Sequence, residues 1–547
     1  MGLETNAELI RVLEKQIEEG SGDIIKLKRA RNSLLNISTR VPPEILGDIS
    51  SWNLVRPDPD PELDMHFYGS PQSSYNFLLV CHHWFQVASQ TPTLWSFCGN
   101  NVWDWEKWLR RHPQSTPLDL VLNDESFGAT KPSIDHAVQD ALKDRAAQDT
   151  IRQVHLRCHC RDLVSPVISL LTPDGEGVQR RSIESIDLRY PWMASPFDVS
   201  KFFTRVHLPK LRSLLLHGPL ILSSLDHLAQ QTTVLTTLSL RIYSPPTTPL
   251  FFSIPVQNYG LQVLSLDSPV IPEDDDEPTS QVTLQNLERL DLTGNLHCVT
   301  RMLERLTFPR PLKSLQVTTV NSAVKSVLQT LGPYVRQYFR SDRGLWSRLK
   351  LRAQASCDNL AVYVENQDGA GDFSQFSAEF VVRLAQGTPQ DVAQNLCRDF
   401  VTLLPQEHVS GFRTNLPPNK LENLLIAMPK IETLELLEVD ISEGFLRPNP
   451  DGPHSKSELL PSLRFLCLGS VVLSDNSWGP LMTYLGHQAS DCQTISLKIT
   501  STSNGPHMCP EVVKEIEGLV VEFSCDVDPT TQCTLGRCRG GVEKSKE

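Results

Sequence analysis

One pattern of apolar residues recurs through most of the chain after residue 150. Each occurrence has an apolar residue, two spacers, a second apolar residue, one spacer and a third apolar residue. Occurrences begin at Ile151, Ile183, Leu211, Leu235, Leu261, Leu287, Leu312, Ile431, Leu463 and Cys492. Successive starts are 32, 28, 24, 26, 26 and 25 residues apart in the first run, and 32 and 29 apart in the second. A chain of this kind is built from similar units in series.

The pattern has a direct physical interpretation. Its last two apolar residues share one face of a short strand, and the first covers the turn that leads into the strand. A single unit cannot bury that face, so neighbouring units must stack. The intervals match leucine-rich repeats, which are roughly 20–29 residues long, with some longer insertions. We therefore predict an α/β fold with an irregular leucine-rich-repeat solenoid over residues 151–525. Asn295 stands where such repeats often carry an asparagine that bonds to the backbone of the adjacent repeat.

The pattern weakens in residues 320–430. Weaker versions start at Trp346, Asn359 and Val409, and residues 391–404 are typical of a helix. These features favour a solenoid that continues, with the helix on its convex side. The alternative is a separate inserted domain.

The first 36 residues combine regularly spaced leucines and isoleucines with many charged residues, which predicts an amphipathic helix. Gly20-Ser21-Gly22 interrupts it. We interpret this segment as a helix that packs on the next domain. The alternative is a short coiled coil that forms a dimer, which normally needs about three sustained heptads.

Two short helical segments are predicted in residues 37–98. The first starts at Pro42-Pro43, and prolines suit the first turn of a helix because their missing N–H would be unpaired there anyway. The second, from Phe77 to Ala88, has a broad apolar stripe and ends before Pro92. The residues between them are rich in Pro, Gly and Ser, which is typical of a loop.

These segments resemble an F-box. The resemblance rests on Pro42-Pro43-Glu44-Ile45-Leu46, Leu79-Val80-Cys81-His82-His83-Trp84 and Thr91-Pro92-Thr93-Leu94-Trp95. The segment is similar to the variant found in large families of mushroom-forming fungi, in which a leucine-rich region follows the box. The chain departs from the pattern at Ser50, where the family usually places a bulky apolar residue, and in its long inter-helix loop.

The resemblance implies a small helical F-box-like domain that docks on a Skp-type adaptor and, through it, on a cullin. The repeats would bind an unknown protein for ubiquitination, as in a substrate receptor of a cullin-type (SCF) ubiquitin ligase. The residues implied in adaptor contact are Pro42, Pro43, Glu44, Ile45, Leu46, Leu79, Val80, Cys81 and Trp84. The alternative is a leucine-rich scaffold with a vestigial F-box and no ligase role.

Net charge and composition limit the kinds of partner and the cellular compartment that we expect. There are 51 Lys and Arg against 64 Asp and Glu, a net charge of −13, so nucleic acid is not an expected partner. We find neither a secretory leader nor an apolar run of the roughly 18–20 residues that cross a bilayer. We therefore expect an intracellular protein, cytoplasmic or nuclear, whose 13 cysteines are mostly reduced.

The sequence contains no motif that predicts catalysis, so we expect no enzymatic activity and no cofactor. His155, Cys158, His159 and Cys160 stand close together, but a structural zinc site needs about four ligands in a tetrahedron. Strand alternation places Cys158 and His159 on opposite faces, so we predict no metal site. Cys533 and Cys538 form a weak pair in a tail, residues 526–547, that we predict to be disordered. Residues 99–150 are interpreted as a junction, and the acidic run at 273–277 as a solvated loop.

Overall fold

The structure is a computed structural model of the full chain. Its description covers the following residues: 2–18, 26–28, 30–31, 42, 45–46, 84, 86–87, 90–91, 97–98, 117–123, 142–143, 149–157, 161–172, 178–190, 194–222, 234–244, 260–268, 281–309, 312–322, 324–340, 349–356, 358–366, 377–386, 388–438, 460–469, 481–486, 495–500 and 510–525.

The fold is mixed α/β, with many strands and few helices in the described part of the chain. The longer helices are α1 Gly2–Glu18, α2 Arg161–Leu171, α3 Ser200–Arg205, α4 Leu296–Arg305, α5 Val324–Arg340, α6 Gln390–Val401, α7 Pro418–Ile426 and α8 Pro510–Glu517. A 3₁₀ turn covers Gln406–His408.

Most of the strands are short and belong to one extended pattern of pairing. The strands are β1 Phe97–Cys98, β2 Leu118–Asn123, β3 Ile151–Arg157, β4 Val178–Gln179, β5 Ser185–Arg189, β6 Phe197–Asp198, β7 Val206–His207, β8 Ser213–Ile221, β9 Thr237–Ser244, β10 Val263–Ser268, β11 Val282–Thr283, β12 Arg289–Asn295, β13 Leu306–Thr307, β14 Ser314–Ser322, β15 Leu349–Ala355, β16 Asn359–Asn366, β17 Ser377–Leu384, β18 Val409–Thr414, β19 Thr433–Leu437, β20 Phe465–Gly469, β21 Ser496–Thr500 and β22 Glu522–Cys525.

The chain divides into two compact units, residues 1–235 with 242–244, and residues 236–241 with 245–547. In the first unit, β1, β2, β3, β5 and β8 pair in that order, all parallel. The repeated apolar residues lie in register, since Val154 is opposite Ile186 and Ile186 is opposite Leu214. The parallel pairing starts upstream of residue 151, because β2 aligns Leu120 with Val154.

In the second unit, residues 237–241 of β9 form an equivalent parallel series with β10, β12 and β14. Leu238, Leu264, Leu290 and Leu315 are successive partners across it, and all four are buried. The first residue of each triplet, such as Leu287, precedes its strand and is also buried. The structure thus places all three apolar positions of these triplets in the core.

Residues 320–430 form strands that pair in a different order. The strand beside β14 is β17, followed by β16, β15 and β18. The middle strand, β16, runs antiparallel to both of its neighbours, whereas β15 and β17 keep the direction of the parallel series. The pairing is therefore continuous from β14 to β18, and the weak patterns at Asn359 and Val409 do correspond to strands.

Beyond β18 the parallel order resumes through β19, β20, β21 and β22. The last triplet lies two residues further along the chain than the spacing predicts. Leu497 and Ile499, rather than Ile495 and Leu497, lie opposite Leu466 and Leu468. Ile495 is buried directly in front of β21, at the position that Arg464 has in front of β20. Because Ile495, Leu497 and Ile499 alternate along the chain, the pattern fits either of two registers.

Helices cover the apolar side of the second unit. The rings of Phe380 in β17 and Phe400 in α6 have centroids 5.3 Å apart. Helix α6 extends over residues 390–401, close to the predicted helix at 391–404. Its Cys397 is fully enclosed, and burial raises the pKa of this thiol to about 12, so it behaves as a small apolar group.

Two asparagines have roles that the sequence pattern did not assign correctly. Asn295 caps helix α4, because its side chain accepts a hydrogen bond from the backbone N–H of Cys298 at 2.8 Å. The inter-strand role belongs to Asn415. Its amide donates to the carbonyl of Ala355 at 2.9 Å and accepts from the N–H of Ala355 at 2.8 Å. Asn415 therefore fastens the end of β15 to the residue that follows β18.

Several predicted segments lie wholly or partly outside the described residues. They include the inter-helix loop, the acidic run at 273–277, the tail from 526 and most of the junction at 99–150. Helix α1 is described from residue 2 to 18, and its Leu9 and Val12 are about half exposed. None of the described helices combines the length and the apolar character that a bilayer span needs.

We predict that Asn415→Ala lowers the free energy of unfolding by about 2 kcal/mol, because both backbone groups of the buried Ala355 lose their partner. Equilibrium chemical denaturation measures the change. Asn359→Ala is the matched control, since Asn359 is an exposed residue of β16, and it should stay within about 0.5 kcal/mol. Equal effects of the two variants would contradict the bridging role.

Candidate functional site

The strands of the second unit carry polar side chains between their buried leucines. We define the polar face by the residues in that position on successive strands. From β12 to β19 these are Asp291, Gln316, Glu379, Tyr363, Arg352, Arg413 and Glu435. Side chains in a strand alternate between its two faces, so these residues point away from the buried leucines. The polar face is therefore the side of the strands opposite to the helices that pack on Phe380.

A groove of about 290 Å³ lies on the polar face where β16, β15, β18 and β19 are adjacent. Its polar lining residues are Lys350, Arg352, Tyr363, Glu365, Arg413, Thr433 and Glu435. Gly411 stands between Lys350 and Thr433 in the strand register. A Cβ atom at Gly411 would come within 3.2 Å of the Lys350 side chain, so the glycine helps to keep this space open.

The charged groups of the groove are held by local contacts. Arg413 Nε lies 3.4 Å from Glu435 Oε2, and the guanidinium of Arg352 lies 5.4 Å from the centre of the Tyr363 ring. Burial raises the pKa of Tyr363, and the neighbouring Glu379 raises it further, so the phenol is neutral near pH 7. The groove therefore offers guanidinium and ammonium groups together with carboxylates.

Arg352, Arg413 and Tyr363 are side chains that can contact a polypeptide. Arginines that stack on rings and pair with carboxylates bind extended, charged surfaces. Arginine and tyrosine are enriched at protein interfaces, whereas lysine and glutamate are depleted there.

The first unit contains a buried ionic cluster on β3 and β5. His155 and Asp187 are register partners, and His155 Nδ1 lies 3.6 Å from Asp187 Oδ2, too long for a hydrogen bond. Arg189 Nε donates to Asp187 Oδ1 at 3.0 Å. The side chain of Asp187 is only 5% exposed. A carboxylate this buried requires such partners to remain charged.

The environment determines the ionisation of Asp187. Burial by itself raises the pKa of this carboxyl, but the adjacent His155 and the charge of Arg189 outweigh burial and lower the pKa to about 2. Asp187 is therefore a carboxylate at any physiological pH. Arg189 lies on β5 with Asp187, and His155 of β3 lies beside the carboxylate, so the cluster spans the pairing of β3 with β5.

The sequence places four possible metal ligands close together, at His155, Cys158, His159 and Cys160. Of the four residues that suggested a metal, only His155 is described, since Cys158, His159 and Cys160 lie outside the described residues. Within the described part of the chain, no group of three His, Cys, Asp or Glu side chains is arranged to hold a metal ion. Nor does any described residue make a hydrogen bond to a ring nitrogen of His155. What contacts His155 is a carboxylate from the next strand, a partner that sequence spacing did not suggest.

The predicted adaptor-binding residues are described in part. Pro42 accepts a hydrogen bond at its carbonyl from Leu46 N–H at 3.1 Å, which forms one helical turn. Leu46 is 1% exposed, whereas the adjacent Ile45 is 48% exposed. Trp84 lies on a helix and is half-buried. Pro43, Glu44, Leu79, Val80 and Cys81 lie outside the described residues.

The adjacent residues Ile45 and Leu46 therefore have different environments. Leu46 is a core residue, and Ile45 presents apolar surface to solvent. Sequence periodicity did not distinguish these two roles.

Neither a protein-family model nor a curated protein sequence matches this chain. The interpretation of its surfaces therefore rests on their own residues.

We predict that Asp187→Asn lowers the free energy of unfolding at pH 7 by about 2 kcal/mol, since the pKa of Asp187 falls from 3.8 to about 2 on folding. A carboxyl whose pKa is depressed by folding stabilises the protein above its unfolded pKa. That contribution disappears as the pH falls from about 4 to about 2. The difference between wild type and variant should therefore close across this window.

Chemical denaturation at a series of pH values measures this difference. The exposed Asp358 provides the control variant Asp358→Asn, which should track the wild type within about 0.5 kcal/mol. A gap between wild type and Asp187→Asn that stays constant down to pH 2 would show that the carboxylate charge is not responsible.

Proposed function

We propose that this protein is a substrate-recognition subunit of a cullin-type ubiquitin ligase. In this proposal residues 37–98 form an F-box-like domain that docks on a Skp-type adaptor. The paired strands form an irregular leucine-rich-repeat solenoid whose polar face holds the protein to be ubiquitinated. The protein performs no bond chemistry itself. It acts by tethering, which raises the effective concentration of the substrate near the transferring enzyme.

The observation that carries the proposal is the register of the strands. Repeated leucines lie opposite one another along each parallel series, so the positions between them form continuous rows of polar residues. Ser239, Ser265 and Asp291 in these rows are buried, but from Gln316 to Glu435 the row is half-buried or exposed. There it can vary without affecting the core, which is the property that a recognition surface needs. The groove around Gly411 is a concave part of this face, and its Lys350 and Arg352 are exposed.

The adaptor contact is proposed on the F-box resemblance, supported by the exposure of Ile45. An apolar side chain that is 48% exposed on a helix can bury further surface on a partner. Leu46 cannot serve in the same way without leaving the core. It is a poor probe of docking, because truncating a buried leucine costs about 2–5 kcal/mol of stability.

We expect Ile45→Glu to lower co-purification with a tagged Skp-type adaptor at least tenfold, because a carboxylate would be buried against an apolar partner surface. The chain and adaptor are co-expressed, and the bound fraction is quantified after affinity purification. Ile426→Glu is the matched control, since Ile426 is also a helical isoleucine about half exposed and lies in the second compact unit. The control should bind as wild type does.

The outcomes separate the receptor from the scaffold alternative. If the wild-type chain does not co-purify with the adaptor, the F-box is vestigial and the receptor proposal fails. If Ile45→Glu and Ile426→Glu bind equally well, the docking surface is not where we place it.

We also expect Arg352→Glu to deplete the proteins that co-purify with this chain from its native cells at least tenfold, while adaptor binding is unchanged. The charge reversal affects an exposed residue of the groove and removes its stacking on Tyr363. Arg336→Glu on α5, also exposed, should leave the captured proteins unaltered. Quantitative mass spectrometry of the purified complexes compares the three chains. If Arg352→Glu captures the same proteins as wild type, the groove does not take part in substrate recognition.

A further inference from the structure

The second unit contains a cavity of about 270 Å³ between helix α5 and strand β14. Its floor is formed by Leu315, Val317 and Phe380, all buried residues of β14 and β17. Leu331 and Val335 of α5 form a buried wall. The exposed residues Pro309 and Gln337 also line it and mark its solvent side. The cavity lies on the apolar side of the strands and is separate from the polar face.

The space opens to solvent at Pro309 and Gln337, but its inner part lies between buried residues. Interiors are packed as densely as organic crystals, and voids larger than a water molecule are few. An apolar cavity of about 150 Å³ in another protein is large enough to bind benzene and stays dry when empty. A cavity nearly twice that volume corresponds to a bicyclic molecule, or to one ring with a short substituent.

The lining defines the chemistry of the occupant. Among the described residues that line the cavity, none is charged. Two tyrosines contribute to the lining, and their hydroxyls have partners. Tyr334 donates to Glu304 Oε1 at 3.0 Å, and Tyr338 donates to the carbonyl of Leu312 at 3.2 Å. Thr307 and Gln337 also line the cavity and add uncharged polar groups to it. A charged ligand would lose its hydration there without compensation.

The wall formed by α5 has a local weak point. Pro333 stands inside this helix and directly follows Gly332, next to the lining residue Tyr334. Proline removes one backbone hydrogen bond of the helix, and glycine disfavours the helical state. The wall can therefore yield locally to admit a ligand at lower cost than an uninterrupted helix.

We propose that this cavity is a binding site for a small, uncharged, largely apolar molecule of about bicyclic size. The ligand packs between Leu331 and Val335 of the helix and Phe380 of the strand. This site is independent of adaptor docking and of the groove on the polar face.

Two variants of α5 test whether the space is empty. Val335 lines the cavity, whereas Val327 is a buried residue of the same helix that does not. Val335→Phe should keep the Tm of the full chain at or above that of wild type, because the added ring enters empty space. Val327→Phe should lower the Tm by a few degrees, as overpacking of a filled core does. An equal fall with both variants would overturn the proposal.

Binding is then tested on the purified full-length chain with named probes. Xenon should bind the wild-type chain, and its NMR shift should change in Val335→Phe, because the added ring alters the space around the atom. Indole should raise the Tm of wild type and bind Val335→Phe at least tenfold more weakly. Indole-2-carboxylate, the charged analogue, should bind wild type at least tenfold more weakly than indole does.

Each of the other results counts against the site. If xenon has the same NMR shift in wild type and in Val335→Phe, the cavity is not its position. Xenon binding without indole binding rules out a ligand of bicyclic size. Equal affinity for indole and for its carboxylate rules out selection for an uncharged ligand. None of these measurements depends on the adaptor, so their failure leaves the proposed function unaffected.

Discussion

Burial of one leucine row against the next is the interaction on which the described structure depends. A strand of five to nine residues such as β5 or β14 cannot cover its own apolar side. Each strand is stable because its neighbours supply partners in register, as Leu264 has in Leu238 and Leu290. The same register places the residues between the leucines on the opposite side. One physical requirement thus produces both the core and the polar face.

The apolar core is continuous between β14 and β18, although the order and direction of the strands there are irregular. Strand β16 runs in the opposite direction, yet it still buries Val362 and Val364 on the same apolar side. Side-chain alternation has a period of two in either direction, so an antiparallel strand can extend the core as a parallel one does. Asn415 then connects β15 to the chain after β18. The groove around Gly411 is lined by β15, β16 and β18, so the irregular strands carry an open part of the polar face.

Particular residues show how far sequence reasoning reached. The triplets at Ile183 through Leu312 were predicted with their strands, because three large apolar residues at fixed spacing admit one register. The last triplet was misplaced by two residues because Ile495, Leu497 and Ile499 alternate and allow two registers. The contact of His155 with Asp187 crosses 32 residues of sequence, and the groove and the apolar cavity each combine side chains from several elements. Such combinations have no local signature.

The sequence by itself determined that this chain forms short strands with a common apolar side, since periodicity and spacing are local properties. It also carried the F-box resemblance on which adaptor docking is proposed. Only the tertiary structure decided that Leu46 is buried while Ile45 is exposed, because burial depends on which neighbours pack against a helix. It likewise decided the position of β16, the enclosure of Asp187 and the space beside Val335. Each of these depends on contacts between residues far apart in the chain, which periodicity along the chain does not record.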